Sequence, residues 1–343
     1  MDLGVARLSG HLGVPRPDLR YLADLLARED HLAPIAAQVG TDGPAAGTRT
    51  LLLQPAGGLH TRLLLDRGLD VGRCHFAGYP VDWTSAVGEQ LPGHADSGSG
   101  WQRGWGGGLL TTCGLRNVGT PSEGHGHHGT FSDQHAEDVR SGREIDSSGH
   151  IRLWAEATVR DGDALSKGLV LRRTVGLRVG AGVLELKDIV TNESNTTEQS
   201  PILYHVNFGY PFLTSDSILS TNALEASYRR GAQPSAPFVE AMGKPVDDNE
   251  LFEHLIHGHE TPVCVTLTSP NLGLVARVEW DAAELGRAFT WRRRTPGSFV
   301  QSIEAANCGL DGRVADRAER RAPFLEPGQE RRTSLTITIS LDS

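Results

Sequence analysis

Cysteine is scarce in this 343-residue chain: Cys74, Cys113, Cys264 and Cys308 are all there are, and none forms a CxxC pair. So few unpaired thiols, in apolar or Gly/Thr-rich surroundings, argue against a disulfide framework and for buried thiols in a reducing compartment. Excess basic charge is also lacking. Lys and Arg number 33 against 42 Asp and Glu, a net charge of −9. A nucleic-acid binder needs a basic face to meet the phosphates, so that class is excluded, and runs such as Arg292-Arg293-Arg294 read as solvated surface. The start, Met1-Asp2-Leu3-Gly4-Val5, has no basic region leading into an apolar core, and no apolar run approaches a membrane span. A cytoplasmic protein is expected. Walker A, HExxH and GxSxG sequences are missing, and the glycines at 104, 106, 107 and 108 do not give GxGxxG, so NTP hydrolysis, zincin and serine-hydrolase chemistry have no support.

What is present is globular: 38% hydrophobic and 22% charged residues, with 41 glycines to supply turns. Near the N-terminus, Leu19, Leu22, Leu25 and Leu26 follow Pro17-Asp18 at helical spacing and predict a short helix over about 18–28. Beyond Gly40 the pattern turns to period two. Ile151, Leu153, Ala155, Ala157 and Val159 alternate with polar or larger residues before a turn at Asp161-Gly162-Asp163. Val175, Leu177 and Val179 lead through Gly180-Ala181-Gly182 into Leu184, Leu186 and Val190, a hairpin. Positions 263–267, 274–278 and 335–341 repeat the alternation. Consecutive strands with one apolar face each predict an all-β fold, a large two-sheet antiparallel sandwich. One domain over 1–343 is expected, with 1–40 as a helical lead-in, since strand patterns flank the Ser/Gly-rich 96–100 stretch on both sides.

Three places could carry chemistry. His125, His127, His128 and His135 cluster in a loop that fits a bare polar loop, a pocket with working imidazoles, or a metal site. On 202–208, Leu203, His205 and Asn207 share one strand face, opposite Ile202, Tyr204, Val206 and Phe208. That polar face suits a sugar pocket or a partly exposed outer surface. Glu304 near a strand end is either solvated or a site carboxylate, and Trp291 and Arg292 could supply a stacking face and a hydrogen-bond fork.

Ordered motifs then connect these places. Gly57-Gly58-Leu59, Asp66-Arg67-Gly68-Leu69-Asp70, the Trp101–Leu115 segment with Thr111-Thr112-Cys113-Gly114, His128-Gly129, Tyr204-His205-Val206-Asn207-Phe208-Gly209, Ile303–Cys308 and Phe324–Gly328 run over nearly the whole chain. The sequence resembles a bacterial branch of the aldose 1-epimerase family in the galactose mutarotase-like superfamily. That resemblance implies a two-sheet β-sandwich with a sugar site on its concave face. It also implies Glu304 as base, His205 as acid and His128 beside the sugar, acting from opposite sides of the ring on a small carbohydrate, with no cofactor and no metal. Arg67, Asp70, Arg103, Trp105, Asn207, Trp291 and Arg292 are the candidate substrate-binding residues. The mutarotase asparagine-arginine-isoleucine motif is absent; Thr111–Gly114 stands in its place, and Arg103 is the candidate substitute for its arginine. Neither nucleic acid nor membrane is an expected partner, and a homo-oligomer is possible. Rival readings are a different sugar isomerase, with a metal at His125, His127 and His128, and a non-catalytic sugar binder.

Overall fold

A computed structural model of the protein describes residues 24–93, 100–222, 225–230, 239–256 and 262–342. The alternating segments form strands because period-two apolar positions can bury one face of a pleated sheet. In Ile151–Asp163 the residues Ile151, Leu153, Ala155, Ala157 and Val159 are all buried, and in Glu330–Leu341 so are Leu335, Ile337 and Ile339. Ser166–Arg178 and Val183–Asn192 pair as the expected hairpin, with Val175 opposite Leu186 and Leu177 opposite Leu184. The turn placed at Asp161-Gly162-Asp163 lies later. The strand runs on through Asp163, which pairs with Ser166, and a bulge falls between Asp161 and Asp163. Gly162 serves that bulge, since a Cβ there would meet the Lys167 carbonyl oxygen at 2.5 Å.

Two large sheets stack face to face, and the strand pairs named among the described residues are antiparallel. The eleven-stranded sheet carries, side by side at its centre, Asp70–Phe76, Leu110–Gly114, Ile202–Phe208, Ser298–Ala306 and Arg287–Thr295. The nine-stranded sheet is centred on Leu274–Trp280, Glu330–Leu341, Val183–Asn192 and Ser166–Arg178. The expected all-β sandwich is the observed architecture. Most of the expected N-terminal helix falls on residues 1–23, outside the described residues; positions 24–28 hold a turn and a bend, followed by a single 3₁₀ turn at Glu29–His31. Among the described residues, no helix is long and apolar enough to cross a membrane.

The core lies between the sheets, where Tyr204, Val206, Phe208, Ile303 and Ala305 meet Leu184, Leu186 and Ile337. Each large apolar side chain there contributes about 1.5–3 kcal/mol by leaving water. A second, smaller cluster of Trp101, Cys113, Leu203, Phe289, Ala306 and Cys308 covers the outer face of the large sheet. The central strands are therefore buried on both sides; every residue of Ile202–Phe208 is.

A polar network ties the sheets together through the core. Arg173, fully buried, gives Nε and Nη2 to the Asp188 carboxylate at 3.0 and 2.7 Å, and Nη1 to Asp70 Oδ1 at 2.7 Å and the Gly68 carbonyl at 3.1 Å. Its Nη2 also donates to Thr112 Oγ1 at 2.8 Å. Thr112 in turn donates its backbone N–H and hydroxyl to Asp70, and Tyr204 hydrogen bonds to Asp188 and Thr333. Buried charge is tolerated here because its donors and acceptors are closely matched.

Candidate active site

Strand alternation turns Tyr204 inward and His205 outward. On that outer face His205 lies directly between Thr111 and Glu304 on the neighbouring strands. His205 Nε2 stands 3.3 Å from Glu304 Oε1, and both residues are nearly sealed from solvent, at 4% and 2% exposure. The other imidazole nitrogen is fixed by Asn207. The Asn207 amide nitrogen donates to the Gly108 and His205 carbonyls, which leaves its Oδ1 to face His205 Nδ1 at 2.5 Å. An amide oxygen only accepts, so Nδ1 carries a proton and Nε2 is the nitrogen turned to the carboxylate. A second proton on Nε2 makes that contact a charge-assisted hydrogen bond. Ser302, two residues before Glu304 and on the same face, donates its hydroxyl to Glu304 Oε1 at 2.5 Å and accepts the Trp291 N–H at 3.1 Å.

His128 comes in from a loop. Its φ of +59° is left-handed, which histidine tolerates better than most residues, and Gly129 follows at +72°. A Cβ at Gly129 would meet the Gly114 carbonyl oxygen at 2.5 Å, so only glycine fits. Asn117 closes the loop by donating to the Thr120 and Gly126 carbonyls, and Asp161 anchors its flanks through the Leu115 N–H and the Thr130 hydroxyl. The Gly119 N–H donates to His128 Nδ1 at 3.3 Å. Burial, reinforced by the neighbouring His127 and His205, holds the His128 pKa well below its ordinary value. His128 is therefore a neutral ring with its proton on Nε2. Its ring centroid is 6.3 Å from that of His205.

Aromatic side chains are sparse in this chain, yet four of its six tryptophans gather here. The short helix Gly100–Gly104 carries Trp101, and Trp105 follows directly after it; their rings stack 4.6 Å apart at 28°. Trp101 lies 4.6 Å from His128, and Trp105 lies 5.0 Å from His205 and 5.0 Å from Trp83. Trp291 completes the ring of aromatics 5.7 Å from His205. The Trp105 indole N–H donates to Thr111 Oγ1 at 3.0 Å. A carboxylate, two imidazoles of fixed tautomer and flat apolar walls suit proton transfer on a polyhydroxylated ring.

A family model described as a domain of unknown function, DUF4432, matches residues 45–339. The chain belongs to the DUF4432 family. No curated protein matches its sequence. Among solved structures, this DUF4432 chain is similar to a Klebsiella pneumoniae protein named provisionally as an aldose 1-epimerase, with 19% identity and a TM-score of 0.81 over 97% of this chain and 90% of that one. It is also similar to a galactose mutarotase-like protein from Clostridium acetobutylicum (12% identity, TM-score 0.62, 91% and 99% coverage). A third similar structure is the galactose 1-epimerase from Lactobacillus acidophilus (15% identity, TM-score 0.60, 91% and 100% coverage). At such identities the likeness establishes the galactose mutarotase-like sandwich fold.

Of the residues expected at the site of this DUF4432 protein, the structure brings together Glu304, His205, His128, Asn207, Trp105 and Trp291. Asp70 and Arg292 are turned to the inner face instead. Asp70 is held by Arg173 and Thr112, and Arg292, one strand step from Trp291, ion-pairs with Glu250 and lies over the Phe252 ring. Arg103 is exposed on the short helix, and its carbonyl accepts a hydrogen bond from Gln90. Arg67 gives its donors to the Gln90, Leu91 and Ser132 carbonyls and to Asp133. His125 does not converge with His127 and His128; Arg313 lies 3.0 Å from its Nε2. Glu304 and His205 stand side by side, not across a ring from one another as expected. Ser302, Thr111, Trp83 and Trp101 escaped the sequence reading as site residues. The first two could have been found by stepping two along a strand from Glu304 and across one strand from His205.

Proposed function

We propose that this chain is an aldose 1-epimerase-like isomerase, exchanging the anomers of a sugar or sugar derivative. The observation that carries the reading is the 3.3 Å approach of His205 Nε2 to Glu304 Oε1 on adjacent strands. Anomer exchange removes a proton from the C1 hydroxyl and adds one to the ring oxygen. Both oxygens are bonded to C1, so a base and an acid standing side by side can serve them together. Glu304 takes the hydroxyl proton, His205 Nε2–H protonates the ring oxygen, and the C1–ring-oxygen bond opens to the aldehyde. Rotation about C1–C2 and the reverse transfers close the other anomer. Each transfer is worth on the order of 10²–10⁴-fold, and the protons balance without a cofactor. Neutral His128 offers Nε2–H to a hydroxyl, and the tryptophans receive the sugar's C–H faces. The free thiols suit a cytoplasmic location.

Polarimetry or NMR of freshly dissolved pure anomers tests this. Glu304→Gln keeps shape and hydrogen bonding but loses the base, so turnover should fall by at least roughly 10²-fold while the protein stays folded. Full activity in folded Glu304→Gln would sink the assignment. One observation favours a second reading, a sugar binder without turnover: Trp101 and Trp105 pack against a pair that is already almost sealed. Binding of an aldose by the unaltered protein, with no faster anomer equilibration, would decide for it.

A further inference from the structure

Next to Glu304 the large sheet departs from its own pattern. Arg287–Thr295 pairs with Ser298–Ala306, with Phe289 opposite Glu304 and Arg292 opposite Gln301. Between those positions Trp291 and Ser302, both described, form no strand pair. Side chains take over from the backbone there. The Trp291 N–H donates to Ser302 Oγ at 3.1 Å, and the Gln301 side-chain amide donates to the Trp291 and Ser302 carbonyls at 3.1 and 2.9 Å. Gln301 and Ser302 are buried, at 3% and 0% exposure. A regular ladder would satisfy those same backbone groups without help. Two buried polar side chains that replace it in mid-sheet point to a second purpose.

What the break yields is a hydroxyl of fixed direction. A serine hydroxyl has one proton, and with the Trp291 N–H on its oxygen that proton goes to Glu304 Oε1, at 2.5 Å. His205 Nε2 approaches the same oxygen at 3.3 Å. A carboxylate oxygen accepts about two hydrogen bonds, so Oε1 is filled. Oε2 accepts none from the described residues. The gap in the sheet thus makes the two oxygens of Glu304 unequal.

We propose that Ser302 is a positioning residue for the base. By holding Oε1 it reserves Oε2 for the C1 hydroxyl proton, and it keeps the carboxylate in place when His205 gives its own proton to the ring oxygen. The proposal rests on the anomer-exchange reading of that pair. Polarimetry with the full chain on pure anomers of glucose, galactose, xylose and arabinose tests it, with urea unfolding of the same samples. Ser302→Ala deletes the hydroxyl yet lets the Trp291 N–H return to the carbonyl of residue 302. Its kcat should fall roughly 10- to 100-fold while KM changes less than about three-fold. Ser302→Thr keeps the hydroxyl and should hold kcat within about three-fold of the unaltered protein. Should Ser302→Ala not fold, Ser302→Cys replaces it with the same loss expected, because a thiol is a weak donor. Unchanged kcat in folded Ser302→Ala or Ser302→Cys, or a loss that Ser302→Thr shares, overturns the positioning role and leaves catalysis by Glu304 standing. An unaltered protein inert on all four sugars ends the catalytic reading and the positioning role with it.

Discussion

The two faces of the Ile202–Phe208 strand both bury polar side chains, and they satisfy them differently. Inward, Tyr204, Asp188, Asp70, Thr112 and Arg173 hold one another through nine hydrogen bonds, counting those to Thr333 and the Gly68 carbonyl. Outward, Glu304 has Ser302 and His205, and His205 has Asn207 and Glu304. The inner arrangement is saturated and gains rigidity. The outer one leaves lone pairs and a proton to give away. Partner count, and not burial, separates the inner charges from the outer pair proposed to react.

The comparison breaks hardest at Arg173. Arg173→Met strands two buried carboxylates and should cost about 3–5 kcal/mol in urea unfolding. A loss under about 1 kcal/mol would mean the network is not what joins the sheets.

Next comes the outer pair. Glu304→Gln and His205→Asn should each cut kcat/KM by at least roughly 10²-fold, about 2.7 kcal/mol, with little change in unfolding free energy. The double variant should be scarcely worse than either single one, because both act on one transition state. Fully additive losses would show that the two residues work independently.

Tyr204→Phe removes the hydroxyl that Asp188 and Thr333 share. About 1–3 kcal/mol of stability should go, read from the urea midpoint. Turnover per folded molecule should hold, and a selective collapse of turnover would place Tyr204 with the outer group.

A pH series sharpens the comparison with one histidine from each face. Burial pushes inner-face His254 down to about 4, and His128 also lies well below its ordinary value. The unfolded chain, titrating near 6.5, then binds protons that the folded chain refuses. Stability should be full above about pH 6.5 and decline as pH falls towards 4, by up to about 1.4 kcal/mol per pH unit for each histidine. His254→Leu should flatten the slope measured by urea unfolding at pH 7, 6 and 5. An unchanged slope would show that burial does not keep that ring neutral. The smallest effect is expected at Arg103, where Arg103→Ala should shift stability by less than about 0.5 kcal/mol and leave anomer exchange intact.

Six strands of the nine-stranded sheet were legible because their apolar and polar residues alternate, as in Ile151–Asp163. The alternation also separated His205 and Asn207 from Tyr204 and Phe208. It did not say which set faces outward, because the strand is covered on both sides. That is why Asp70 and Arg292, charged residues next to site residues, looked like ligand contacts. Glu304 was hard to weigh for the same reason: Ile303, Glu304 and Ala305 are all buried, so a carboxylate there carries no local sign of exposure or of function. The tryptophan cluster depended on a five-residue helix too short to show a period.

The strict alternation of Tyr204 and His205 between two filled spaces gives the Ile202–Phe208 strand something like a reading frame. Inserting or deleting one residue within it would carry His205 into the Arg173 network and Tyr204 under the tryptophans, exchanging framework and chemistry in a single step. A tolerated change of length in this part of the chain is therefore expected in the loops, or in the strand only by whole pairs of residues.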